Sequence, residues 1–140
     1  MDYVSPKEVA SNMMQTALHK ASLSPKDLLI RGSLSGALLA ISVALADAAA
    51  IQTKMPIIGA LVFPVGFIII VLLGLELVTG SFSLVPLACM EKKISVSAMI
   101  KNLALVFIGN LIGSVLFGVL FWISTSAVSQ AVAPGTIEQM

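Results

Sequence analysis

The chain has 140 residues, of which 58% are apolar and 11% charged, and its mean hydropathy of +1.04 lies far outside the range of soluble domains. It reads as an integral membrane protein. A net charge of +1 without a long basic run excludes a nucleic-acid partner, and the single cysteine, Cys89, excludes an internal disulfide and any metal site built on cysteine pairs.

Residues 5–20 read as an amphipathic surface helix within a cytoplasmic segment, 1–27. Ser5 can cap it, Pro6 occupies the first helical position and Glu8 lies three residues after the cap. Val9, Met13 and Ala17 form an apolar stripe beside Met14 and Leu18, so the helix is expected to lie along the membrane face. His19, the only histidine, stands next to Lys20 at the helix end in a solvated capping position. Asp2, Glu8, His19 and Asp27 interrupt the apolar residues, so no cleavable signal peptide is read here and the amino terminus is expected to stay attached. Ser24-Pro25-Lys26-Asp27 repeats the cap, proline and acid pattern and opens a first span at about 28–53. Gly32, Gly36, Ala40, Ala44 and Ala48 recur every fourth position, a ridge suited to close helix approach. Arg31 and Asp47 fall near the two ends of the span, within reach of the head groups.

After a turn at 52–56 comes a long apolar stretch. As one straight helix, residues 57–90 would rise roughly 51 Å at about 1.5 Å per residue, against a hydrocarbon core of about 30 Å. Gly74, Gly80 and Pro86 weaken or break helices, and Glu76 must face protein or water. The stretch is therefore read as two half-helices broken near 76–80. Such a break frees N–H and C=O groups and exposes helix-end dipoles, which makes it the candidate binding site. The bland alternative is a kinked helix with no ligand. A polar turn at 91–95 leads to a last span at about 96–125, capped by Ser95, where Gly109-Asn110-Leu111-Ile112-Gly113 offers a small-residue contact and Trp122 an interface anchor. Residues 127–140 read as an outer-side tail. Lys7, Lys20, Lys26 and Arg31 before the first span, with Lys92, Lys93 and Lys101 after the second, outweigh Lys54 on the other side and put the amino terminus inside.

Val71-Leu72-Leu73-Gly74-Leu75-Glu76-Leu77-Val78-Thr79-Gly80 resembles the first signature of the formate/nitrite transporter family: an apolar pair, a glycine, an acid-leucine pair, then a hydrophobe before Thr/Asn and Gly/Ser. Agreement extends to Lys20-Ala21, Leu28-Leu29-Ile30-Arg31-Gly32, Phe63-Pro64-Val65-Gly66-Phe67, Lys101-Asn102 and Phe107-Ile108-Gly109-Asn110-Leu111, over about residues 1–126. The resemblance implies an all-α membrane protein with an aquaporin-like helical bundle, built as six spans from two inverted three-span repeats. It further implies a homopentamer in the cell (inner) membrane that moves small monovalent anions of the formate or nitrite type without a cofactor. Only the amino-terminal half is matched, so a second three-span repeat is the implied partner, and the pore histidine belongs to that other half.

Carried over by position, Thr79 and the neighbouring backbone through Gly80 face the passing anion, and Lys20 is a basic residue at the cytoplasmic vestibule that raises local anion concentration. Phe63, Phe67, Leu77 and Val78 correspond to positions near the apolar constrictions. Glu76 is expected to be structural at the break, either protonated or capping the N–H groups of the following half-helix. Phe67 stands where the best-known formate channels have an aliphatic residue and Val78 where they have phenylalanine, which leaves slit width and the choice of anion open. An anion crossing a dry slit needs hydrogen bonds from Thr79 and freed N–H groups in place of hydration, or a proton that renders it neutral. A non-transporting structural subunit or an inactive truncated fragment is the rival reading. No paired acids or metal-ligand cluster supports an enzyme.

Overall fold

Proline marks the helix starts. In a computed structural model that describes residues 4–131, α1 (Pro6–Ser22), α2 (Pro25–Thr53), α3 (Pro56–Val62) and α4 (Pro64–Leu72) each begin on one, because a residue without an N–H loses nothing at the first helical position. α5 (Val78–Met90) and α6 (Val96–Ala131) follow. The hydroxyls of Ser5, Ser24 and Ser95 accept from the N–H groups of Glu8, Asp27 and Ala98 at 3.3, 3.1 and 3.1 Å, as N-caps do. α6 runs past the expected end near 125, so the first residues of the expected tail are helical. No helix breaker occurs before Pro134-Gly135, and the remainder of that tail lies outside the described residues.

α2 is the hub. α6 packs along it through glycines: a Cβ on Gly32 would stand 3.2 Å from Gly109 Cα, and one on Gly36 or Gly113 would overlap the backbone of Asn110 or Ser33. α3 and α4 also lie on α2, where Gly59 meets the Ala46 carbonyl and Gly66 meets Ser42. Only part of the expected ridge is used, since Ala40 and Ala44 line a cleft of about 410 Å³ with Phe117, Gly118 and Phe121 instead. α5 leaves α2 and packs against α1 and α6. Along α1, Ala17 is buried while Val9 and Met13 stay exposed, so only the end of the expected apolar stripe is covered.

Polarity runs opposite to that of a soluble domain. Leu72 and Met90 are 79% and 81% exposed, whereas Glu76 and Asn102 are 3% and 1% exposed. α2 and α6 are long and apolar enough to cross a bilayer, and the segments Pro56–Leu72 and Val78–Met90 are shorter. At about 1.5 Å per residue, α5 rises roughly 20 Å, less than a hydrocarbon core.

Between Leu72 and Val78 the backbone leaves the helix. Gly74, at φ 61°, adopts the left-handed conformation that closes a helix, and its N–H donates to Val71 O at 3.1 Å while the Leu75 N–H donates to Ile70 O at 3.0 Å. Leu77 is extended at φ −108°, ψ 131°. The break thus lies upstream of the expected 76–80: Val78, Thr79 and Gly80 form the first turn of α5, and Pro86 sits inside α5 without ending it. The shift has two causes, the stop at Gly74 and a side-chain acceptor that fixes the Val78 N–H.

Candidate functional site

That acceptor is Asn110 on α6. Its Oδ1 receives the Val78 N–H at 2.9 Å, and its Nδ2 lies 2.9 Å from each of the Gly32 carbonyl, Ser35 Oγ and the Glu76 carbonyl. The Ser35 hydroxyl also donates to the Glu76 carbonyl. One amide and one hydroxyl therefore satisfy backbone groups that a buried break would otherwise leave without partners. The Glu76 carboxylate is met by Lys20, whose Nζ lies 2.8 Å from Oε2, and by the Ser81 hydroxyl at 3.3 Å. The N–H-capping role expected of Glu76 is not seen. α5 has no side-chain cap, the Val78 N–H is already taken by Asn110, and the carboxylate forms an ion pair across α1 and the break. The carbonyl of Lys20 is in turn held by Asn102 Nδ2 at 2.8 Å.

A cleft of about 530 Å³ opens beside the break. It brings together Lys20, Phe67, Glu76, Leu77, Thr79 and Gly80, and adds His19 and Arg31. Phe63 and Val78 do not line it: Phe63 packs edge-on against Phe67 with ring centroids 5.3 Å apart, and the Val78 N–H is bound to Asn110. Thr79 is exposed, and among the described residues the N–H groups of Thr79 and Gly80 meet no acceptor. Arg31, read from sequence as a head-group residue, places Nη1 3.4 Å from the Gly74 carbonyl. Sequence reasoning missed Asn110, Ser35, Ser81 and Asn102. A signal existed for the first, because an amide in an apolar span asks for a buried partner.

The signature residues 71–80 run through the end of α4, the break and the first turn of α5. A family model described as formate/nitrite transporter matches residues 7–140. The chain belongs to the formate/nitrite transporter family. It is 36% identical over 128 residues to the uncharacterized transporter YrhG of Bacillus subtilis, a match covering 86% of this chain and 48% of the relative. It is 31% identical over 127 residues to the formate channel FocA of Haemophilus influenzae, covering 86% and 44%, and 27% identical over 123 residues to the formate channel BtFdhC of Bacillus thuringiensis, covering 82% and 47%. The chain spans about half the length of the curated relatives it matches. No solved structure matches it significantly. Membership of a transporter family, with two helices able to cross a bilayer, makes it a membrane protein.

Proposed function

We propose that the chain is one three-span repeat of a channel or transporter for small monovalent anions of the formate or nitrite type, working with a second, inverted repeat in an aquaporin-like, six-span homopentameric assembly. In this reading α3, α4 and α5 together make the middle crossing, the amino terminus is cytoplasmic and the membrane is the inner one. The observation that carries it is the first turn of α5 in the cleft, where, among the described residues, the Thr79 hydroxyl and the N–H groups of Thr79 and Gly80 meet no acceptor. Donors fixed at the positive end of a helix replace part of an anion's hydration at little reorganisation. Apolar walls from Phe67 and Leu77 exclude water and strengthen those contacts. Protonation of the anion, which removes the charge for the driest step, is assigned to the second repeat.

Formate efflux from liposomes holding this chain together with a second repeat tests the reading. Thr79→Val keeps the volume and removes the hydroxyl, and is expected to slow efflux about tenfold, the equivalent of one charge-assisted hydrogen bond. Thermal stability should barely move, since Thr79 is exposed. Unchanged efflux would remove Thr79 from the pathway.

A further inference from the structure

Four ionisable side chains line the cleft: His19, Lys20, Arg31 and Glu76. Lys20 and Glu76 lie 2.8 Å apart, both mostly out of solvent, so beyond a few ångströms their charges cancel. Lys20 is also not free to follow an anion, because leaving Glu76 would strand a nearly buried carboxylate. Arg31 has no carboxylate partner among the described residues. Its guanidinium makes one long hydrogen bond, 3.4 Å to the Gly74 carbonyl, while the group carries five N–H donors. Among the side chains that line the cleft, the Arg31 guanidinium is thus the one permanently charged group without a counter-charge.

We propose that Arg31, rather than Lys20, is the cation that captures the anion, and that its single charge selects a monovalent oxyanion over a dianion. The inference rests on the anion-transport reading and names its capturing residue. Leu28 and Gly32, buried on either side in sequence, fix this part of α2, and the Gly74 carbonyl tethers the guanidinium to the break without using up its fork. A planar carboxylate or similar oxyanion can take two parallel N–H contacts from such a fork, which the point charge of a lysine cannot give. A dianion would leave one charge unmatched between the apolar walls of Phe67, Ile70 and Leu84.

Arg31 is the only arginine in the chain, so an arginine-selective dicarbonyl reagent labels a single residue, followed by mass spectrometry on the full chain. Saturating formate is expected to slow labelling about tenfold, and sulfate at equal ionic strength to leave it nearly unchanged. Equal slowing by both ions would overturn the selection by charge, and no slowing by formate would overturn the capture. In the paired assembly, Arg31→Gln is expected to raise the half-saturating formate concentration about tenfold with the maximal rate held within about twofold, and Arg31→Lys to recover part of the loss. Normal formate efflux with Arg31 unprotected would sink this inference and leave the transport reading standing. Protection of Arg31 in an assembly that passes no formate would do the reverse.

Discussion

A side-chain amide carries two donors and an acceptor oxygen, and Asn110 spends both ends on the break. Asn110→Leu is expected to leave the Val78 N–H without a partner and the Glu76 carbonyl with the Ser35 hydroxyl alone, a loss of about 1–3 kcal/mol. Asn110→Asp keeps the acceptor and loses the donors, and should fall between leucine and the native residue. Unfolding of the solubilised protein would measure both, and equal stability of all three would show that other groups hold the break. Lys20→Met strands the Glu76 carboxylate and is expected to cost about 3–5 kcal/mol, most of it recovered when Glu76→Gln is added. Lys20 and Glu76 were each legible in the sequence, for separate reasons. Their pairing was not, because it spans 56 positions and exists only once α1 folds back beside α5. Asn110 was hidden in a different way: the glycines around it already explained that stretch as a packing contact.

The starts of α1 and α2 were legible because capping is local: a serine, a proline and the next three residues contain the whole signal. The break was placed a few residues late because half of its cause is remote. Gly74 announces a stop, but Thr79-Gly80 looks like one too, and only the bond from Val78 to Asn110 decides that α5 has already begun. The ridge of small residues on α2 was legible as a contact surface, but not which part of it α6 would cover. That division gives a contrast to measure. Gly113→Ala drives a methyl into the Ser33 backbone and should cost at least about 1–3 kcal/mol, whereas at Gly118 a Cβ meets nothing within 4 Å, so Gly118→Ala should be neutral or stabilise by up to about 1 kcal/mol. Thermal unfolding of the two variants side by side reads this out, and similar values would mean that α2 and α6 do not approach as closely as the glycines indicate.

At the scale of the molecule, membrane class was legible from composition alone, since a surface rich in exposed leucine, isoleucine and phenylalanine needs lipid or protein around it. The cleft beside the break is lined by α1, α2, α4, the break and α5 and is open rather than enclosed. By itself the chain is therefore expected to give no selective, saturable formate release from liposomes, and joined to a second repeat it should. Selective release by the chain alone would show that one repeat, as copies of itself, suffices. The hub arrangement also has a consequence for biogenesis. Val78 is synthesised 32 positions before Asn110, and at about 5–20 residues per second the ribosome needs roughly two to six seconds to cover that distance. For that interval the Glu76 carbonyl already has the Ser35 hydroxyl, but the Val78 N–H has no partner in the emerged chain, so the first turn of α5 is expected to keep that N–H in water until α6 arrives.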